Sequence, residues 1–175
     1  MAEANDAPAL ARFFADAAEW WGRLQTPRPE ICKTVEFWRA EADRLQEVFR
    51  ADIGCQMFLF SAEDPGRIEG HVHLFTFVRG AFQACTCGYA LREDAEGKGL
   101  MTEGLRAAVE FAFGPLNMHR IMANVRPDNA RSLRLLERLG FQREGFAPRY
   151  LLQNGEWRDH ILTALTNDAW TLTDD

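Results

Sequence analysis

The chain has 175 residues, of which 47% are hydrophobic and 26% are charged, and its formal net charge is −6. This size and composition favour one globular domain, residues 1–175, with a single substantial core. The acidic balance argues against a direct nucleic-acid partner and mildly favours a basic protein or an amine. No apolar run is long enough to cross a bilayer, so we expect no membrane association.

The cysteines and the first residues bear on the compartment. The cysteines form no CxxC pair and lie in apolar or helical segments: Cys32, Cys55, Cys85 and Cys87. Reduced, buried thiols are typical of a cytoplasmic protein. The opening residues have neither the basic nor the apolar region of a secretory signal, which also favours a cytoplasmic location.

The N-terminal half is predicted to form two helices and then three strands. Apolar residues at three- and four-residue steps predict helices over residues 8–21 and 34–49. The prolines within residues 26–29 separate the two helices. The predicted strands cover residues 53–60, 68–78 and 82–91. Their short connections favour an antiparallel meander.

The C-terminal half alternates helices and strands. A helix follows a glycine-rich turn and ends at Gly114, and another begins at Asn129 and stops at Gly140. Strands are predicted over residues 120–125, 141–152 and 156–166, the last two forming a hairpin around Asn154-Gly155. The order predicts a mixed α/β sheet of about six strands flanked by helices, with a right-handed parallel crossover between residues 89 and 125.

The glycine-rich turn, Glu96-Gly97-Lys98-Gly99-Leu100-Met101, lies between a strand and a helix. Its glycines allow a tight turn and a close approach of the backbone to a ligand. The free N–H groups and the dipole of the following helix favour an anion. The turn indicates a pyrophosphate cradle, although glycines at such a junction also serve purely geometric ends.

This turn resembles the signature of the GNAT acetyltransferase superfamily, Gln/Arg-x-x-Gly-x-Gly/Ala. Two positions depart from the signature, because Glu96 replaces Gln or Arg and Met101 replaces a small residue. The resemblance implies the GNAT fold, with acetyl-CoA as co-substrate and no metal.

Other segments resemble the Rim-type branch, which acetylates protein N-termini. They are His119-Arg120-Ile121, Asn129-Ala130-Arg131-Ser132, and Leu139-Gly140-Phe141 followed by Glu144-Gly145. A distal group is similar to the RimJ-type enzymes, which acetylate the N-terminal alanine of a small-subunit ribosomal protein: Tyr150-Leu151-Leu152, Gly155 and Trp157-Arg158-Asp159-His160. The implied partner is therefore the N-terminus of a basic ribosomal protein.

One expected element is missing. Such enzymes usually open with a strand reading like Thr-x-Arg-Leu-x-Leu-Arg, whereas this chain begins almost directly at the first helix. We therefore expect the first strand to be absent and the sheet to expose one more edge. A partner subunit is one way to cover such an edge, and both a monomer and a homodimer stay open.

The implied reaction is attack of a neutral amine on the thioester carbonyl of acetyl-CoA. An α-amino group has a pKa of about 8, against about 10.4 for lysine. A weak base or an ordered water therefore suffices for an N-terminus. A main-chain N–H would stabilise the charge that develops on the thioester oxygen.

The resemblance assigns the cofactor contacts. The pantetheine arm and the thioester oxygen would meet the backbone of Tyr89, Ala90 and Leu91. The turn would hold the pyrophosphate beside Glu96 through the N–H groups of Gly97, Lys98, Gly99, Leu100 and Met101. The remaining contacts are implied for Thr102, Asn124, Asn129 and Ser132.

Several of these residues also have structural explanations. Asn129 is suited to cap a helix, and Gly88 in the strand is consistent with close packing or a bulge. Lys98 and Thr102 are equally consistent with exposed helix and turn residues.

The resemblance implies catalytic roles for Ser132, as proton donor to the leaving thiolate, and for Tyr150 and Asp159. Related enzymes carry a carboxylate just before the tyrosine, but Arg149 occupies that position here. The remaining candidates for the base are Glu103, Glu144, Asp159 and His160, or a water held by backbone carbonyls.

His71 and His73 share a strand face without a third ligand, so they do not predict a metal site.

Two other functions remain open. One is acetylation of a small amine, such as an antibiotic or a polyamine. The other is a non-catalytic CoA-binding sensor or ribosome-associated factor, an idea to which Glu96, Arg149 and the missing strand all lend support.

Overall fold

The computed structural model describes residues 2–21 and 29–172, so the predicted break at residues 26–29 lies outside the described residues except for Pro29. Four α-helices are present in the described part: α1 Ala7–Trp21, α2 Val35–Arg50, α3 Leu100–Phe113 and α4 Ala130–Arg138. The strands are β1 Gly54–Phe60, β2 Ile68–Val78, β3 Ala84–Leu91, β4 Arg120–Met122, β5 Gln142–Gln153 and β6 Glu156–Thr166. Short 3₁₀ turns cover Ala4–Asp6, Glu30–Lys33 and Glu93–Ala95.

The strands form one six-stranded mixed sheet with the order β1-β2-β3-β4-β6-β5. Among the strands of the described residues, only β3 and β4 run parallel, and the other neighbours are antiparallel. The meander, the parallel connection and the terminal hairpin predicted from the sequence are therefore confirmed.

Strand β4 is shorter than the predicted residues 120–125. It pairs with β3 only as far as Met122. Beyond that point the pairing with β6 on the other side of β4 continues, since Ala123 N donates to Thr163 O at 2.9 Å and Val125 N to Ile161 O at 3.0 Å. The hydrophobic pattern continues past the end of the ladder with β3, so it overestimates the strand.

Residues 2–21 form a 3₁₀ turn and α1 and contain no strand, as expected from the chain start. Strand β1 lies at one edge of the sheet and β5 at the other. Helix α2 begins where predicted, since the Thr34 hydroxyl accepts a hydrogen bond from Phe37 N at 3.3 Å.

Helices cover both faces of the sheet. Val72 belongs to the core beneath α3 and α4, whereas the adjacent His71 lies against the rings of Phe13 and Phe14 in α1. Successive residues of a strand point to opposite faces. The core beneath α1 and α2 centres on Trp38, which stacks on Phe14 at 4.5 Å.

We predict that Leu136→Ala destabilises the fold by about 2–5 kcal/mol, because the Leu136 side chain is fully buried beneath α4 and its truncation leaves a cavity. Urea unfolding followed by circular dichroism measures the change. Arg134→Ala, on the exposed face of the same helix, serves as the matched control and should change the unfolding free energy by less than about 0.5 kcal/mol. Equal losses in the two variants would contradict this packing of α4.

Candidate active site

The sheet opens between β3 and β4. The two strands pair only at Ala84–Arg120, Cys85–Ile121 and Thr86–Met122. Strand β3 then continues to Leu91 paired with β2 on its other side, while the chain after Met122 keeps its main-chain bonds to β6. Among the described residues, no strand covers this side of residues 88–91. Main-chain N–H and C=O groups that face the opening are therefore available to an extended ligand.

Gly88 is not required there by packing. It pairs regularly with His73 of β2, without a bulge. A Cβ atom added at Gly88 would lie 3.6 Å from a ring carbon of Phe75, which is an ordinary contact. Neither structural explanation considered for this glycine, close packing or a bulge, fits the structure.

The glycine-rich turn lies at the end of this opening. Gly97 and Gly99 have φ of +79° and +84°, the left-handed region that favours glycine. No atom lies within 4 Å of a Cβ added at either position, so the backbone conformation and not packing requires glycine. Gly99 is the N-cap of α3, and the N–H groups of Leu100 and Met101 at the start of that helix have no acceptor within it.

The position of Met101 explains why a large residue is accepted where the signature has a small one. Its side chain is buried in the core beneath α3, while its backbone remains in the first helical turn. Thr102 lies in the same turn, with its N–H donating to Gly99 O at 2.9 Å and its side chain half-buried. The turn thus supplies backbone donors, and Lys98 beside them is exposed.

Glu96 forms an ion pair with Arg131 of α4. Both side chains are exposed, and they join the glycine-rich turn to the start of α4 across 35 residues of sequence. The guanidinium compensates the carboxylate beside the predicted anion cradle. A negative residue at this signature position is therefore electrostatically tolerable.

The start of α4 provides a second group of polar side chains. Asn129 caps the helix, with its Oδ1 accepting a hydrogen bond from Ser132 N at 3.1 Å. The capping role is confirmed, and a ligand contact of Asn129 would use its amide nitrogen.

Ser132 contacts β3. Its Oγ lies 2.5 Å from the phenol oxygen of Tyr89, and either hydroxyl can donate. Burial raises the pKa of the Tyr89 phenol, and the hydrogen bond to Ser132 lowers it by less. The phenol therefore keeps its proton at neutral pH.

Tyr150 and Asp159 lie together on the β5–β6 hairpin. Asn124 donates from Nδ2 to the Tyr150 hydroxyl at 2.9 Å. Asp159 accepts a hydrogen bond from Arg149 N at 2.7 Å, in a bulge of β5 where Arg149 has φ +49°. One oxygen of Asp159 thus stabilises the strained backbone that presents Tyr150.

The other candidates for a general base are placed differently. Glu144 forms an ion pair with Arg120, and Glu103 is exposed in the first turn of α3. His160 is buried, with Nδ1 3.0 Å from Arg158 O. No group of three His, Cys, Asp or Glu residues suited to a metal ion occurs within residues 2–21 and 29–172.

Sequence reasoning missed two side-chain contacts. It assigned only the backbone of Tyr89 to a ligand, and it did not pair Glu96 with Arg131. The opposite charges of Glu96 and Arg131, each within a motif, were a usable signal. The Tyr89 hydroxyl carried no such signal, because its partner lies 43 residues away.

Residues 1–142 match the family model described as an acetyltransferase (GNAT) domain. The chain belongs to the GNAT acetyltransferase family. It is similar to the [ribosomal protein uS5]-alanine N-acetyltransferase of Escherichia coli (strain K12), with 40% identity over 169 residues, 95% of this chain and 86% of that protein. The family predicted from the motifs is confirmed.

Solved structures agree with this GNAT assignment. The ribosomal-protein-S5-alanine acetyltransferase from Vibrio fischeri has a TM-score of 0.92 and 31% identity, over 98% of this chain and 93% of that one. Mycobacterium smegmatis RimJ in complex with CoA-disulfide has a TM-score of 0.80 and 27% identity, over 94% of this chain and 79% of that one. In the part of the GNAT chain that the structure covers, no helix combines the length and apolarity needed to cross a bilayer.

We predict that the native protein has no rapidly reacting thiol. All four cysteines are buried. Burial raises the pKa of Cys55 to about 11 and of Cys85 to about 12, and it also raises the pKa of Cys87, so little thiolate exists near neutral pH. Reaction with Ellman's reagent should be slow until guanidinium exposes four thiols. Ala62→Cys, in an exposed turn, should add one fast thiol, whereas fast reaction of the unmodified native protein would contradict the prediction.

Proposed function

We propose that the protein transfers the acetyl group of acetyl-CoA to the N-terminal α-amino group of a ribosomal protein, with alanine as the acceptor residue. The opening between β3 and β4, with the glycine-rich turn at its end, carries the proposal, because it places main-chain donors at two points of one path, the open side of β3 and the start of α3. The choice of acceptor rests on the 40% identity to a uS5-alanine N-acetyltransferase.

Acetyl-CoA would bind along this path. The pantetheine arm would pair with the open side of residues 88–91. The pyrophosphate would accept hydrogen bonds from the N–H groups of residues 97–101, where the positive end of the α3 dipole favours an anion. Asn124, Asn129 and Thr102 would supply side-chain contacts. Mycobacterium smegmatis RimJ, which shares this fold, was solved with CoA-disulfide, and this supports the placement.

The proposed reaction is direct attack of the amine on the thioester. The amine nitrogen bonds to the carbonyl carbon, and the charge on the carbonyl oxygen is stabilised by a main-chain N–H of β3. Collapse of the intermediate breaks the C–S bond and leaves the electron pair on sulfur. The Ser132 hydroxyl donates a hydrogen bond to that sulfur.

The β5–β6 hairpin would form the acceptor side. Asp159 uses one carboxylate oxygen on Arg149 N, and we assign the other to a water that takes the amine proton. Tyr150, held by Asn124, would orient the acceptor. The formal charge of −6 favours approach of a basic protein.

We predict transfer to a short basic peptide that begins with alanine. Mass spectrometry should show one added acetyl group per peptide, together with release of free CoA thiol. The matched control is the same peptide with a blocked N-terminus and its lysines intact, which should remain unmodified. Acetylation of spermidine without acetylation of the peptide would support a small-amine enzyme, and CoA binding without any product would support a non-catalytic binder. Either result would overturn the proposal.

We predict that Gly99→Ala weakens CoA binding by about tenfold or more. A non-glycine residue in the left-handed region costs about 1–3 kcal/mol, and relaxation of that strain would displace the donors of α3. A tenfold change in Kd corresponds to about 1.4 kcal/mol. Isothermal titration calorimetry with CoA measures the effect.

Gly80→Ala is the matched control for Gly99→Ala. Gly80 has φ +67°, and an added Cβ there has no atom within 4 Å, as at Gly99. It lies in the β2–β3 turn, away from the glycine-rich turn. Both variants should lose similar stability, but only Gly99→Ala should lose affinity. Unchanged CoA affinity in Gly99→Ala would remove the turn from the binding site.

A further inference from the structure

We propose that Tyr89 is a positioning residue for acetyl transfer: its phenol donates to Ser132 Oγ and thereby directs the Ser132 proton to the thioester sulfur. This inference rests on the proposed function. It adds a side chain whose position on β3 otherwise suggests only a backbone contact with the cofactor.

The Tyr89 hydroxyl connects the two sides of the opening. Tyr89 lies on the part of β3 that continues beyond the β4 ladder, and its ring packs on the core beneath α3 and α4. Ser132 lies in the first turn of α4. Their oxygens are 2.5 Å apart. The hydroxyl pair is thus placed where the strand and the helix that flank the opening meet.

The environment favours Tyr89 as the donor of this hydrogen bond. A phenol is a stronger acid than an aliphatic alcohol, so it is the better donor to a neighbouring hydroxyl. Burial also keeps the phenol protonated. A serine hydroxyl has one proton and two lone pairs. When Oγ accepts from Tyr89, the Ser132 proton must point elsewhere, and we assign it to the opening, because Ser132 is only half-buried.

The backbone of Ser132 is fixed independently of this hydroxyl pair. Its N–H donates to Asn129 Oδ1 at 3.1 Å, which holds the first turn of α4 in place. The direction of the Ser132 hydroxyl, which depends on χ1 and on rotation about the Cβ–Oγ bond, then remains to be set. Tyr89 sets it, and a hydrogen-bonded chain also polarises the Ser132 hydroxyl and makes it a better donor.

The chemical step that benefits is the departure of CoA. The C–S bond breaks, the electron pair moves to sulfur, and Ser132 donates a hydrogen bond to the developing thiolate. The attacking nitrogen loses one proton to water, and the thiolate finally gains one from water. Tyr89 and Ser132 are protonated before and after the reaction, so protons balance without consuming either residue.

The test is Tyr89→Phe, which removes the hydroxyl and keeps the ring. We expect kcat to fall about tenfold, with the KM for acetyl-CoA and the Kd for CoA unchanged within about twofold, because the lost interaction acts on the transition state. Ser132→Ala should lower kcat at least as much. The double variant should be no slower than Ser132→Ala, since Tyr89 acts only through Ser132.

A second measurement keeps the hydroxyl and avoids any folding defect. Site-specific replacement of Tyr89 by difluorotyrosine lowers the phenol pKa with little change in size. A phenolate cannot donate to Ser132, so kcat should fall as the pH rises and the phenol loses its proton. In the fluorinated protein this fall should begin at a lower pH than in the wild type. A purely structural tyrosine would leave the pH profile unmoved.

The outcomes separate this inference from the proposed function. Suppose that the wild-type protein acetylates the peptide. A full kcat in Tyr89→Phe, or a double variant whose loss in kcat is the product of the two single losses, then overturns only the role of Tyr89. Loss of CoA affinity with unchanged kcat also overturns it, because Tyr89 would then merely line the cofactor site. A wild-type protein that neither binds CoA nor acetylates the peptide overturns the proposed function and this inference with it.

Discussion

The site depends on the point at which β4 leaves β3. After Thr86 and Met122 the two parallel strands no longer pair, and the next main-chain bonds from the β4 side go to Thr163 and Ile161 of β6. The main-chain groups of a strand are normally bonded to neighbouring strands. Because β4 parts from β3 here, the main-chain groups on that side of β3 have no strand to bond to, although the sheet as a whole stays connected. Helix α3 follows one side of the opening and α4 follows the other. Every contact proposed for acetyl-CoA is a consequence of that geometry.

The local electrostatics at the opening differ in sign from the net charge of the chain. The protein carries a formal net charge of −6, yet α3 and α4 both begin beside the opening, and helix N-termini favour anions. The ion pair of Glu96 with Arg131 compensates the one carboxylate that departs from the GNAT signature. The same residues tie the glycine-rich turn to α4. A local preference for an anion at these two helix N-termini is thus compatible with a chain that is acidic overall.

The β5–β6 hairpin is organised by contacts of a different kind. The match to the GNAT family model ends at residue 142, where β5 begins, whereas the similarity to the Escherichia coli enzyme extends over 95% of the chain. In the hairpin, Asp159 stabilises the bulge at Arg149 and Asn124 holds the hydroxyl of Tyr150. The proposed cofactor side therefore rests mainly on backbone groups, and the proposed acceptor side on side chains.

The sequence by itself determined what depends on near neighbours. The left-handed glycines at positions 97 and 99, the cap of α4 at Asn129 and the alternation of helices and strands all follow from local backbone preferences and hydrophobic periodicity. Tertiary structure decided the rest. It shortened β4 and joined Tyr89 to Ser132, 43 residues apart. Such contacts depend on how helices and strands pack in three dimensions, and periodicity within one segment carries no information about a partner in another.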